Sequence, residues 1–434
     1  MVRFLHLADI HLGFDKYDSP ERTKDFFYAL YDALERYALN PAVDFVLIAG
    51  DLFEHRNILP ATLNQAQICL DLLKQAQIPV LAIEGNHDHR PYGTATSWLR
   101  YLAEQDLLLL LEPNEAGELE PWDAELKVGG YIDLDCGARV IGSRWYGASS
   151  PQAIPPLAES IRQLPRTPHP TVMMFHHGLE GQIGRYTGAL RYQDFLPLQQ
   201  AGVDYLALGH IHKNYTEQGW IFNPGAIEAN SIAENQAQNP RGVYLVTLDP
   251  QEITAELKQD YQQRPIRRLS VVANPRQSPA DLEQAAIACV REAAQAGQTA
   301  AAIVELRVSG QVSFNRLDLD LRLLKQQLQE ISQALIFLLR YDVTSTTYVT
   351  PLATAANDLP TRREIEQHVF TDFLAANFNY SDRASQFAQG LIDLKTQILS
   401  EQSEAETYKF VQALLSETSA IAKSKTDSAD SEQS

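Results

Sequence analysis

The stretch Phe45-Val46-Leu47-Ile48-Ala49-Gly50-Asp51 is apolar without alternation and stops at a glycine, the pattern of a strand buried on both faces. A carboxylate stands just beyond it. Open α/β sheets gather their chemistry outside the carboxyl ends of the strands, so Asp51 lies where a ligand would be met. Gly-Asp after a strand is also ordinary turn chemistry. Four more strand ends decide between the two: Asp9-Ile10-His11 after 2–8, Gly85-Asn86-His87-Asp88 after 78–84, His176-His177-Gly178 after 171–175, and Gly209-His210-Ile211-His212 after 205–208.

Helical spacing over 21–39 and 61–76 completes a βαβαβ alternation, which predicts parallel strands with right-handed crossovers. Residues 106–170 are less regular, with a short strand at 138–141 among proline-rich connections, and 220–222 and 242–248 read as antiparallel strands. After a hinge at 262–265, the order strand (269–273), helix (279–294), strand (302–308), helix (317–331), strand (334–343) predicts a small α+β module. A linker over 351–360 leads to Thr361 and Glu364, a capping box that opens a helix with Ile365, Val369, Phe373 and Ala376 in one stripe. Helices over 381–399 and 407–415 follow, and the polar stretch 420–434 is expected to be disordered.

A chain of 434 residues predicts two or three domains, and its 45% apolar content fills their cores without any run of membrane-span length. The first residues enter a strand directly, leaving no room for a signal peptide. Cys69, Cys136 and Cys289 show no metal or redox spacing, which points to a reducing interior. The expectation is a cytoplasmic protein with no membrane contact. A net charge of −19 excludes coating nucleic acid by bulk positive charge. Residues 261–350 carry ten Lys and Arg against eight Asp and Glu, a local +2 that leaves −21 on the rest. A polyanion has to be met locally, by a few arginines and by bound cations.

The strand ends supply carboxylates, imidazoles and an amide but no thiolate. Such mixed donors suit Mn²⁺, Fe, Zn²⁺ or Mg²⁺, not a structural cysteine site. They are too many for one tetrahedral ion and suit two ions sharing a carboxylate, with Asp51 the most central in motif order. The series Asp-x-His, Gly-Asp, Gly-Asn-His-Asp, His, Gly-His-x-His resembles that of the calcineurin-like metallophosphoesterases, over roughly residues 1–250. Within it, Arg3-Phe4-Leu5-His6-Leu7-Ala8-Asp9-Ile10-His11-Leu12-Gly13 and Gly50-Asp51-Leu52-Phe53 are similar to the DNA-repair nuclease subunit of the SbcCD type.

That resemblance implies an α/β fold with a four-layer αββα sandwich (1–260), a small α+β capping domain (261–350), a helical segment (361–418) and a disordered tail (419–434). It implies two divalent cations, Mn²⁺ foremost. One would be held by Asp9, His11, Asp51 and His212, the other by Asp51, Asn86, His176 and His210, with His87 the catalytic acid. The implied activity is exo- and endonucleolytic DNA hydrolysis in double-strand-break repair. The implied partners are a coiled-coil ABC-type ATPase (SbcC-like), docked on the C-terminal helices, and a second copy of the chain. The alternatives are a phosphoesterase acting on small phosphodiesters, nucleotides or phosphoproteins, and a non-catalytic scaffold for the ATPase.

Around these motifs, His6 reads as a packed strand residue, and His177 and Asp88 as facing away from the ligand side. Relatives carry Asp or His three positions after the shared aspartate, where this chain has Glu54, so a substrate-positioning role there is open. His55, Arg56, His89, Arg90, Arg185, Tyr186, Arg264, Arg267, Arg268 and Arg276 are read either as solvated or as contacts to substrate.

Overall fold

A computed structural model describes residues 1–434 except Tyr92, Ala95, 183–187, 235–239, 250–251, 346–360, 376–379, 381–382, 401–405 and 415–434. Arg185, Tyr186, Ala376, the linker over 351–360 and the tail over 419–434 lie outside the described residues. The chain divides into two compact units, Met1–Ile266 and Arg267–Ser434.

The first unit runs β1 (Val2–Leu7), α1 (Pro20–Tyr37), β2 (Phe45–Ala49), α2 (Pro60–Gln75), β3 (Val80–Ile83), α3 (Trp98–Glu104), β4 (Leu109–Leu110), β5 (Tyr131–Leu134), β6 (Ala138–Ile141), α4 (Ser150–Gln163), β7 (Thr171–His176), α5 (Tyr192–Gln200), β8 (Tyr205–Gly209), β9 (Tyr215–Glu217), β10 (Ile221–Asn223), β11 (Val243–Leu248) and β12 (Ile253–Lys258). Two six-stranded sheets form, ordered β12-β11-β1-β2-β3-β4 and β5-β6-β7-β8-β10-β9. β1, β2 and β3 run parallel, as do β7 and β8. β11 pairs antiparallel with β1. The strand at 221–223 departs from the sequence expectation, since β10 runs parallel to β8 and is antiparallel only to β9.

The strand period places the layers. Phe4, Phe45 and Leu47 face Val172, Met174, Tyr205 and Ala207 in a core between the two sheets. Their neighbours Leu5, Val46 and Ile48 face α1, α2 and α3, while Met173, Phe175, Leu206 and Leu208 face α4 and α5. Successive side chains on opposite faces therefore yield four layers, αββα, from strands apolar on both sides. Helix α1 opens on Ser19, whose hydroxyl accepts from the Arg22 N–H, with Pro20 in its first turn. Helix α4 was hidden in the proline-rich stretch. Pro155 and Pro156 remove hydrogen bonds there, but Ile154, Leu157, Ala158 and Ile161 bury one face and hold the helix.

The second unit contains β13 (Ile266–Ala273), α6 (Pro279–Gln295), β14 (Ile303–Val312), α7 (Leu321–Ser332) and β15 (Ile336–Ser345), a sheet ordered β13-β14-β15 with its own core. Helices α8 (Arg362–Ala375) and α9 (Ala384–Leu399) pack on each other through Phe370, Leu374, Phe387 and Ala388. The capping box is formed: Thr361 N–H donates to Glu364 Oε2 at 2.7 Å and Glu364 N–H to Thr361 Oγ1 at 3.3 Å. Among the described residues no helix is long and apolar enough to cross a membrane.

Candidate metal centre

Each strand-end motif leaves its strand at the same edge. The Asp9-Ile10-His11 turn lies against the Gly50-Asp51 turn, with Ile10 and His11 N–H both donating to Asp51 O at 2.8 and 3.0 Å. From the other sheet, His176 Nδ1 donates to Ala49 O at 2.7 Å, which fixes its tautomer and turns Nε2 outward. The His210 N–H donates to both Asp9 carboxylate oxygens, at 2.9 and 3.0 Å. Asp9, His11, Asp51 and His210 all adopt positive φ (52°, 54°, 56° and 85°). L side chains rarely sit there, and such conformations concentrate at functional sites held by their surroundings.

Two glycines are required by close approach. A Cβ on Gly50 would lie 2.3 Å from His176 Nδ1, and one on Gly85 would lie 2.1 Å from Asp51 Oδ1. Behind the cluster, Asn223 Nδ2 donates to the carbonyls of Ile211 and Lys213 at 2.7 and 2.8 Å, clamping the backbone on either side of His212.

Most of the strand-end donors fall into two groups. Asp9, His11 and His212 converge in one, and Asp51, His176 and His210 in the other. In the first, His11 Nε2 and His212 Nε2 stand 3.2 Å apart. Each ring has its Nδ1 against a carboxylate: Glu54 Oε2 at 2.8 Å for His11 and Glu234 Oε1 at 3.1 Å for His212. In the second group Asn86 Oδ1 lies 3.2 Å from His176 Nε2 and 2.8 Å from His210 Nδ1, while Asp51 Oδ2 lies 3.2 Å from His176 Nε2. Carboxylate, amide and imidazole groups converging in this way match the ligands of divalent ions, so the donor chemistry fits a pair of cations.

The field agrees. Burial presses the His176 imidazole down, yet the Asp51 carboxylate reverses this and raises it to about 9. Burial also opposes a charged His212, but its bond to Glu234 and the nearby Asp9 lift it to about 9. His210 moves the other way, to about 3, through burial and the charge of His176.

His87 belongs to neither of these two groups, though it lies with His11 and Glu54 in a further cluster of possible donors. Its N–H donates to Asp51 Oδ1 at 2.8 Å, and its Nδ1 donates to Glu54 O at 2.6 Å, leaving Nε2 unbound by that turn. Asp88 faces three backbone amides, those of Leu52, Phe53 and Gly85, at 3.0, 2.9 and 3.3 Å. His6 is fully buried between Tyr205 and Leu208. His55 pairs with Asp15 at 3.0 Å, and Arg56 donates to Asn86 O at 3.4 Å. Arg264 ion-pairs with Asp25 and donates its backbone N–H to Glu228 at 2.7 Å, so it serves the fold instead of reaching outward. The sequence offered no signal for Glu234, which lies in an aperiodic polar stretch. Trp145 was also missed; its ring centroid is 5.6 Å from that of His176 and 5.4 Å from that of His210.

Residues 2–214 match the family described as calcineurin-like phosphoesterase. The chain carries a calcineurin-like phosphoesterase domain. Its relatives include the DNA double-strand break repair protein Mre11 of Methanosarcina mazei, 28% identical over 57% of this chain and 36% of that protein. Mre11 of Aeropyrum pernix is 32% identical over 49% of each chain. The metallophosphoesterase YhaO of Bacillus subtilis is 27% identical over 59% of this chain and 60% of that protein. The chain thus spans about half or less of the archaeal relatives it matches. The phosphoesterase match ends at residue 214, two residues past His212, so it contains all five motifs but not Glu234.

Proposed function

We propose that the chain is a two-metal DNA nuclease of double-strand-break repair, with Mn²⁺ as the working ion. The convergence of donors from separate strands of two sheets into two groups, Asp9, His11 and His212 beside Asp51, His176 and His210, carries this reading. The repair function named for the archaeal relatives favours DNA over small esters. Asp9, His11, Asp51 and His212 would hold one ion, and Asp51, Asn86, His176 and His210 the other. When bound, such a pair acidifies water and neutralises a phosphodiester. His87, held through Nδ1 by the Glu54 carbonyl, donates its proton from Nε2 to the departing 3′ oxygen as water adds to phosphorus.

Residues 261–350 would narrow the substrate cleft as a capping domain, and 361–418 would dock on a coiled-coil ABC-type ATPase, with the nuclease acting as a homodimer. Exposure of Ile365 (47%), Val369 (47%) and Phe373 (75%) on α8 supports the docking role. The test is digestion of labelled linear duplex DNA with Mn²⁺, run beside bis-p-nitrophenyl phosphate. Degradation of the duplex is expected. Hydrolysis of the small ester alone overturns the assignment of DNA as substrate, and cleavage of neither leaves the scaffold reading.

A further inference from the structure

The two cation positions are built differently. Behind His11 stands Glu54, buried and fixed by its own N–H to Leu12 O at 2.9 Å. Behind His212 stands Glu234, whose second oxygen accepts from the Asn230 N–H at 2.9 Å and whose carbonyl accepts from Arg241 Nη1 at 2.9 Å. Both imidazoles therefore have a carboxylate beside Nδ1, His212 through a hydrogen bond and His11 through an ion-pair contact, the arrangement that orients a metal ligand and raises its basicity. Asp9 adds a third negative group on that side. Across Asp51 the partners are neutral: His176 has the Ala49 carbonyl on Nδ1, and His210 faces the Asn86 amide. In the proposed ligand sets Asp51 serves both.

We infer that Glu54 and Glu234 are positioning residues that make the two positions unequal, with the ion at Asp9, His11 and His212 held tightly and the ion at Asn86, His176 and His210 held weakly and exchangeable. This rests on the two-cation reading above. Attraction between the divalent ion and the flanking carboxylates strengthens the first position, whereas the second is left with a single carboxylate, itself shared.

Calorimetric titration of the metal-free full chain with Mn²⁺ tests it. The wild-type chain should show two binding steps separated by at least about tenfold. Glu54→Gln and Glu234→Gln should each weaken the tighter step by about 10–100-fold and leave the weaker one in place. Asn86→Ala should remove the weaker step alone. Thermal melts of the metal-free variants separate lost binding from lost folding, and either Gln variant that stays folded decides. Equal steps in the wild type, or Gln variants that titrate like it, overturn the inference and leave the two-cation reading standing. A wild-type chain that binds no Mn²⁺ overturns both.

Discussion

At the scale of single residues, the hydrogen bonds of His87 hold its ring beside the metal donors in a fixed orientation. Its backbone N–H and Nδ1 are both committed to the Asp51 and Glu54 turn. The ring therefore has one defined orientation and one nitrogen for chemistry. His87→Asn should lower DNA cleavage by about 10²–10⁴-fold, the usual worth of a general acid, while Mn²⁺ binding stays as in the wild type. A gel assay beside a metal titration checks both halves, and a variant that cuts at the wild-type rate refutes the acid role. Gly85→Ala tests the cradle instead. Its Cβ would meet Asp51 Oδ1 at 2.1 Å and Asp51 N at 2.6 Å, so the shared carboxylate must move. Overpacking of this kind costs about 1–3 kcal/mol. The expected readout is less than two Mn²⁺ retained per chain, together with a lowered unfolding midpoint in urea.

At the scale of elements, β1 carries a histidine with a structural task. His6 Nε2 donates to Leu208 O at 3.0 Å, and Nδ1 accepts from the Tyr205 hydroxyl at 2.9 Å, bonds that join the two sheets through the neutral ring. Burial lowers its pKa from 6.5 to about 3. The unfolded chain thus takes up a proton that the folded chain refuses. The stabilisation is complete above pH 6.5 and is lost as pH falls from 6.5 toward 3, by at most about 1.4 kcal/mol per pH unit. Urea midpoints measured against pH should show a shallower acid limb in His6→Gln, which keeps one donor and one acceptor but does not titrate. Helix α8 makes the opposite case. Phe370 and Leu374 pack toward α9 while Ile365, Val369 and Phe373 face solvent. Charged substitutions Ile365→Asp and Phe373→Asp should change stability by no more than about 0.5 kcal/mol and leave isolated nuclease activity intact. Co-purification with the coiled-coil ATPase should be lost, and retention of the complex would remove α8 from the docking surface.

At the scale of the whole molecule, the proposed cation ligands all lie within Met1–Ile266. Ligand that binds only the folded state stabilises it by mass action, about 2.7 kcal/mol at a free concentration one hundred times the dissociation constant. Mn²⁺ should therefore raise the melting transition of the first unit, and chelation should lower it, while a transition belonging to Arg267–Ser434 stays where it was. Scanning calorimetry with and without chelator reads both. Equal shifts in the two transitions would show the units unfolding as one cooperative body.

The placement of Asp9, His11, Asp51, Asn86, His176, His210 and His212 at strand ends was legible from residue order alone, because an apolar run that gives way to glycine or to a polar residue marks its own carboxyl edge. The same residue types stated the chemistry, since carboxylate, imidazole and amide without thiolate select hard or borderline divalent ions. What local pattern could not carry was which distant segments meet. Helix α4 was masked by prolines whose local cost is outweighed by a buried face. The parallel pairing of β10 with β8 depends on the long-range course of the chain. The pairings of Glu54 with His11 and of Glu234 with His212 became visible only in the structure, because a carboxylate acts on an imidazole through a few ångströms of space, and separation along the sequence carries no trace of that distance.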